Sequence, residues 1–168
     1  MTITFIGMPA SGKSCMGRAL SRRLGMKLVD GDRVIENKYG MPLQKIIDTQ
    51  GMDKFKAIEE ETLLTLEGDN IIFSPGGSAV YYDSVMKHFK TLGPVIYLYC
   101  TSDIIIERLG DFSKRGVVLR PGQTIQDLYN ERHALYKKYA DITVNCSGRS
   151  YRKYQDAVVR ALENYSSK

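Results

Sequence analysis

Eight consecutive residues near the amino terminus carry the strongest chemical signal in the chain. Residues 7–14 read GMPASGKS and match the pattern G-x-x-x-x-G-K-[ST]. Glycines let successive backbone N–H groups converge on phosphate oxygens. Lys13 supplies a positive charge to the β- and γ-phosphates, and the Ser14 hydroxyl can ligate Mg²⁺. The helix predicted to begin here adds the positive end of its dipole. The pattern therefore predicts a site for a nucleotide phosphate.

Two further groups of charged residues suit phosphoryl transfer, which needs positioning and charge neutralisation more than covalent chemistry. Asp30 and Asp32 follow a short apolar run and offer one carboxylate for a metal and one for a hydroxyl. The basic, glycine-rich stretch 110–124 contains Arg120 and has the composition of a mobile lid. The alternatives are a helix-capping pair of aspartates and a solvated arginine on a plain surface loop.

Strand-like and helix-like segments alternate along the chain, and these segments must position the charged residues. Short apolar runs predict strands at 2–6, 27–29, 71–73, 95–99 and 142–144. Helical spacing of apolar residues follows Lys13 and ends at Gly25, and it recurs at 55–66 and 151–165. This alternation predicts a parallel sheet of about five strands, covered on both faces.

Composition limits the classes of protein that fit. The 168 residues are 43% hydrophobic and 26% charged, which suits one soluble domain spanning 1–168. The net charge of +5 fits small anionic substrates, and the basic residues are too dispersed to predict nucleic-acid binding. Three widely spaced cysteines predict neither a disulfide framework nor a zinc site. We find no apolar run long enough for a membrane span and no signal peptide, so we expect a cytoplasmic protein.

Several blocks, taken together, carry a family resemblance over nearly the whole chain. Residues 29–32 read VDGD, 55–60 read FKAIEE and 74–79 read SPGGSA. Arg120-Pro121 follows, and then 131–136 read ERHALY, with Ala140-Asp141 beyond. In order and approximate spacing, these blocks resemble the shikimate kinase family. The resemblance implies a three-layer α/β fold of the P-loop nucleoside-monophosphate-kinase type. It also implies a monomer that phosphorylates shikimate to shikimate 3-phosphate with ATP and Mg²⁺, in aromatic amino-acid biosynthesis.

The resemblance also implies roles for individual residues. It assigns catalysis to Lys13, Asp32 and Arg120, and metal binding to Ser14 and Asp30. It assigns nucleotide contacts to Gly7, Ala10, Ser11, Gly12, Lys13, Ser14, Cys15, Arg120 and, more loosely, Arg149. It assigns substrate contacts to Asp32, Lys56, Gly76, Gly77, Ser78 and Arg132, within a substrate-binding segment at about 31–60 and the neighbouring strand ends. Arg132, which would grip a substrate carboxylate, has a surface charge on an amphipathic helix as its alternative.

The sequence departs from the family pattern at three places. Lys56 stands where the family usually has arginine, Ser78 replaces the third glycine of a triplet, and the interval from Arg120 to Arg132 is short. All three affect substrate binding or closure more than the ATP site. Alternatives to shikimate kinase are therefore a diverged relative acting on another small alcohol, or a catalytically weak nucleotide-binding regulator. We expect the acidic run 59–61 to form a solvated helix face, and His133 to be structural or solvent-facing.

Overall fold

The computed structural model describes residues 1–111, 117–148 and 150–167. Within these residues, five strands alternate with helices. The strands are β1 (Ile3–Ile6), β2 (Lys27–Asp30), β3 (Ile71–Ser74), β4 (Val95–Tyr99) and β5 (Ile142–Asn145). The helices are α1 (Lys13–Leu24), α2 (Gly31–Tyr39), α3 (Leu43–Gln50), α4 (Met52–Leu64), α5 (Asp83–Leu92), α6 (Ser102–Leu109), α7 (Ile125–Tyr139) and α8 (Tyr151–Ser166). A short 3₁₀ helix spans Ala79–Tyr81.

All five strands are parallel and lie in the order β2-β3-β1-β4-β5. Helices cover the sheet on both faces, which confirms the predicted three-layer α/β architecture. Because the strands are parallel, their carboxyl ends meet at one edge, where Asp30 lies opposite Ser74. The phosphate loop follows β1, which lies between β3 and β4. Ligands of open α/β sheets bind in the crevice at such a switch in strand order.

The central strands form because their side chains are apolar on both faces. Every residue of β1 and β3 is buried, and so are Val95–Leu98 of β4. Continuous apolar runs of this kind are typical of parallel strands covered by helices on both sides. The chain leaves α1 at Gly25, which has a φ of 65° and donates its N–H to the Ser21 carbonyl. The predicted helix end is thus confirmed, with glycine supplying the left-handed conformation that closes the helix.

The segment 31–64 contains a second, smaller hydrophobic core. Ile35, Ile46, Phe55 and Ile58, from α2, α3 and α4, pack together separately from the core that surrounds the sheet. The far end of α4 joins the main core through Leu63. Val34 of α2 packs against the main core as well, so α2 is in contact with both cores.

No helix in the described ranges combines the length and the apolar character that crossing a bilayer requires.

Candidate active site

A cavity of about 1230 Å³ opens at the carboxyl edge of the sheet. It is lined by the phosphate loop, by α2, α3 and α4, by the turn after β3, and by α7. Gly7 and Ser11 are buried within the loop itself, and Arg149 lies outside the described residues. The other predicted site residues all line the cavity: Ala10, Gly12, Lys13, Ser14, Cys15, Asp30, Asp32, Lys56, Gly76, Gly77, Ser78, Arg120 and Arg132.

The backbone of the phosphate loop is shaped to receive an anion. Ala10 and Gly12 have φ values of 64° and 95°, so the loop twice enters the left-handed region. Alternation of this kind turns backbone N–H groups toward a common centre. At Gly7, an added Cβ would come within 2.9 Å of the Leu98 carbonyl oxygen, so a side chain is excluded. The buried Ser11 hydroxyl has no hydrogen-bond partner among the described residues. These features fit a bound polyphosphate.

Lys13 folds back over this loop. Its Nζ donates to the carbonyl oxygens of Gly7, at 2.7 Å, and Met8, at 2.9 Å. Burial lowers the pKa of Lys13 to about 8, although the nearby Asp32 carboxylate opposes the shift. The ammonium group therefore lies against the backbone of the loop and lines the same cavity as Asp30 and Asp32.

The two aspartates after β2 have different surroundings. Asp30 Oδ1 accepts hydrogen bonds from the backbone N–H groups of Asp32 and Arg33 and caps α2, as the capping alternative predicted. Asp32 lies in the first turn of α2 and lines the cavity. Burial, followed by repulsion from Asp30 and Glu59, raises the pKa of Asp32 to about 6. At neutral pH Asp32 is mostly ionised and is a stronger base than an ordinary carboxylate.

Neighbouring side chains closely approach two glycines after β3. A Cβ on Gly76 would lie 2.8 Å from Asp32 Oδ1. A Cβ on Gly77 would lie 3.0 Å from Pro9 and 3.1 Å from Arg132 Nη1. A side chain at position 77 would press on the phosphate loop and α7, and one at position 76 would press on the Asp32 carboxylate, so glycine leaves the backbone here open to the cavity.

Arg132 is buried on α7, which contradicts the alternative of a helix-surface charge. Its side chain is held by Tyr81: Nε donates to the tyrosine oxygen at 3.4 Å, and the guanidinium carbon lies 5.4 Å from the ring centroid. The guanidinium faces the same cavity as Asp32. A buried, planar cation in such a cavity suits a carboxylate ligand. Lys56 lines the same cavity from α4, is exposed, and makes no hydrogen bond or ion pair with the described residues.

Arg120 is paired with a carboxylate on α7. Its Nη2 contacts Glu131, which also accepts a hydrogen bond from the Tyr81 hydroxyl. Because Tyr81 also contacts Arg132, one chain of contacts joins the predicted lid arginine to the predicted substrate arginine. Neither Tyr81 nor Glu131 was assigned a role from the sequence. Of the stretch 110–124, residues 112–116 lie outside the described part of the chain.

The expectation for the acidic run on α4 is wrong at Glu59. Glu60 and Glu61 contact Ser84 and Lys38 near the surface, as expected. Glu59 is only 2% exposed, and its carboxylate faces the cavity. It belongs to a helical apolar stripe with residues such as Phe55 and Ile58. The spacing of Glu59 relative to these apolar residues was the signal in the sequence that it is buried. A charged residue on a buried stripe needs a specific partner.

His133 has a structural position, as predicted. Its Nδ1 lies 2.9 Å from the Tyr97 hydroxyl oxygen, and its ring stacks on Tyr129 with centroids 5.6 Å apart.

Another arginine, Arg108 on α6, lines the cavity and contacts Cys100 and the Cys146 carbonyl oxygen. Among the described residues, no three His, Cys, Asp or Glu side chains form a cluster that would hold a metal ion by themselves.

Comparison with known proteins is consistent with this geometry. The sequence profile of the shikimate kinase family matches residues 9–163. Shikimate kinase from Mannheimia succiniciproducens is 32% identical over 98% of this chain and 97% of its own length. This chain belongs to the shikimate kinase family. The match confirms the resemblance seen in the sequence blocks.

Solved shikimate kinases share the whole fold. The enzyme from Aquifex aeolicus superposes with a TM-score of 0.87 at 29% identity, covering 99% of this chain and 98% of that one. The enzyme from Acinetobacter baumannii, solved in complex with shikimate, gives the same TM-score at 25% identity, with coverage of 99% and 95%. A gluconokinase from Sinorhizobium meliloti, at 16% identity and a TM-score of 0.55, shares the fold alone.

Proposed function

We propose that this protein transfers the γ-phosphoryl group of ATP to a hydroxyl of shikimate, giving shikimate 3-phosphate and ADP. The observation that carries the proposal is the placement of Asp32 and the buried Arg132 in one cavity with the phosphate loop. A hydroxyl-facing carboxylate and a carboxylate-binding arginine suit a small hydroxy acid. Family membership and the shikimate bound to the Acinetobacter baumannii relative support this choice of acid.

On the donor side, the loop N–H groups and Lys13 bind the β- and γ-phosphates. Mg²⁺, when bound, would neutralise charge on the phosphate oxygens. Ser14, exposed at the start of α1, and Asp30, whose Oδ1 is engaged in the helix cap, are the residues that would hold it. Lys13 would exchange its bonds to the loop carbonyls for bonds to phosphate oxygens.

On the acceptor side, Asp32 orients the attacking hydroxyl and takes its proton. The raised pKa of Asp32, about 6, brings its proton affinity closer to that required of a base at neutral pH. Arg132 binds the substrate carboxylate and so fixes the distance from the ring hydroxyl to Asp32. Gly76 and Gly77 leave the backbone accessible to the substrate.

Arg120 completes the site by moving. Its contact with Glu131 is an exposed ion pair, which contributes at most about 1 kcal/mol and is easily exchanged. When Arg120 moves to the transferring phosphoryl group, it offsets the negative charge that develops there. We infer that the described residues 117–124, which include Arg120, close over the bound substrates.

Two further features of the proposal concern where and how the protein works. Three free cysteines, two of them buried, support a reducing compartment such as the cytoplasm. We propose that the protein is a monomer, the state that the family resemblance implies. Lys56 and Ser78 favour one second candidate, a small hydroxy acid other than shikimate, because both line the substrate side of the cavity.

The proposal is tested by coupled measurement of ADP release with Mg-ATP. We expect release that depends on shikimate and exceeds that with gluconate, homoserine or glycerol. Lys13→Ala should reduce kcat at least 100-fold with an unchanged circular dichroism spectrum, because it removes the phosphate-binding cation. A preference for another acid would support the second candidate, and no transfer to any of these alcohols would contradict the kinase proposal.

A further inference from the structure

Arg132 is a buried cation that is held by tyrosines rather than by a carboxylate. It is 9% exposed, and it forms no ion pair with the acidic side chains of the described residues. An arginine side chain has many rotamers, and ordering it in one of them costs conformational entropy. The neighbours that restrain the guanidinium therefore decide which of its edges is presented to the cavity.

Tyr81 restrains the Arg132 guanidinium in two ways. The guanidinium carbon lies over the tyrosine ring, 5.4 Å from its centroid. The tyrosine oxygen accepts a hydrogen bond from Nε at 3.4 Å. Contact with a ring face limits the tilt of a planar cation, and a hydrogen bond at Nε limits its rotation within the plane. One side chain thus fixes both the plane and the direction of the guanidinium.

Tyr81 is itself fixed at both ends. It ends the 3₁₀ helix, whose other two residues, Ala79 and Val80, are buried in the main core. At the other end, the Tyr81 hydroxyl donates its hydrogen to Glu131, the residue that precedes Arg132 on α7. Because that hydrogen is used by Glu131, the lone pairs of the tyrosine oxygen face the Arg132 donor.

The contact with Tyr81 leaves the opposite edge of the guanidinium for a ligand. A carboxylate binds a guanidinium through two parallel N–H bonds from one edge. Since Nε is bonded to Tyr81, the remaining edge is the one formed by Nη1 and Nη2. Nη1 lies beside Gly77, where an added Cβ would approach it to 3.1 Å, and both residues line the cavity.

We propose that Tyr81 is a positioning residue: by holding Nε and one face of the guanidinium, it directs the Nη1–Nη2 edge of Arg132 to the substrate carboxylate. The inference rests on the proposed function, since it takes that carboxylate as the ligand of Arg132. Tyr81 acts on the substrate through Arg132, so its loss should weaken substrate binding and leave the reacting groups in place.

The test compares Tyr81→Phe and Tyr81→Leu with the wild type in shikimate-dependent ADP release. Phenylalanine keeps the ring and removes the oxygen, whereas leucine removes both contacts. We expect the KM for shikimate to rise about threefold in Tyr81→Phe and about tenfold in Tyr81→Leu. In both variants kcat should stay within about twofold, because a contact that aids binding alone changes KM without changing kcat.

Tyr139→Phe is the matched control. Tyr139 lies on α7, and its hydroxyl donates to Asp83 Oδ1 at 2.7 Å, away from the residues that line the cavity. Its replacement should leave both constants unchanged. A wild-type KM for shikimate in Tyr81→Leu, or an equal rise in Tyr139→Phe, would overturn the inference.

Crystal structures of the ligand-free wild type and Tyr81→Leu give a readout that does not need turnover. Tyr81 is 42% exposed, so we expect the variant to fold. The Arg132 guanidinium should leave its position beside Gly77 or occupy two conformers. A single guanidinium in the wild-type position would overturn the inference. Failure of the wild type to use shikimate would contradict only the proposed function, and the two structures would then decide this inference.

Discussion

The position of Asp32 in the cavity lowers the free energy of unfolding at neutral pH. Burial and two neighbouring carboxylates raise its pKa from 3.8 to about 6. A carboxyl group whose pKa is higher in the folded than in the unfolded protein makes folding less favourable once it ionises. The free energy of unfolding therefore falls as the pH rises from about 4 to about 6, and the loss persists above pH 6.

Asp32→Asn separates this cost from catalysis. At pH 8 we expect the variant to be more stable than the wild type by roughly 1 to 3 kcal/mol, because the buried charge is gone. The difference should become small below about pH 3, where the aspartate is mostly protonated in both states. Urea unfolding of the ligand-free proteins at the two pH values measures it. Turnover should fall by at least 100-fold, and a variant that is no more stable at pH 8, or that keeps near-normal turnover, would contradict this account of Asp32.

Residue types and spacing identified most of the cavity but not its supporting partners. Lys13, Asp32 and Arg132 belong to recognisable blocks, so their common location could be expected. Tyr81 and Glu131 lie in ordinary surroundings in the sequence, and only the meeting of the 3₁₀ helix with α7 reveals their contact. The place of Glu59 on the apolar stripe of α4 indicates burial, although its acidic neighbours favour a solvated helix face.

At the scale of elements, the contact between Arg120 and Glu131 of α7 is the one that we propose must break for the lid to close. If Arg120 binds phosphate as proposed, Glu131 competes for it, so Glu131→Gln should lower the KM for ATP. The exposed ion pair contributes at most about 1 kcal/mol, which limits the change to about fivefold. Steady-state kinetics with varied ATP measures it. Glu61→Gln, which removes an exposed pairing with Lys38, is the control and should leave the KM for ATP unchanged. An unchanged or higher KM in Glu131→Gln would show that Glu131 does not restrain Arg120.

The smaller hydrophobic core of segment 31–64 leads to a second prediction, which concerns the local stability of α2 and α3. Ile46 and Ile96 are both fully buried, one in this smaller core and one in the sheet. Ile46→Val should lower the local opening free energy by about 1 kcal/mol and speed amide exchange about fivefold in α2 and α3. Exchange in the strands should stay at the wild-type rate. Ile96→Val should speed exchange in the sheet, and mass spectrometry of deuterium uptake distinguishes the two patterns. Equal acceleration of the sheet in Ile46→Val would contradict the independence of this core.

At the scale of the whole molecule, the sequence predicted the class of fold but not its arrangement. Five apolar runs gave the five strands, because each of the central strands is apolar on both faces. The order β2-β3-β1-β4-β5 depends on contacts between distant segments, which local patterns do not encode. That order brings the ends of β1, β2 and β3 together, and so places Lys13, Asp32 and Gly76 around one cavity.

The central claim is that this cavity transfers phosphate from ATP to shikimate. The most direct measurement is ³¹P NMR of the protein with Mg-ATP and shikimate, with Lys13→Ala as a matched control. We predict one new phosphomonoester signal that appears together with an equal amount of ADP, and no ester with Lys13→Ala. ADP accompanied by free inorganic phosphate, or an ester that forms only when another hydroxy acid replaces shikimate, would contradict the claim.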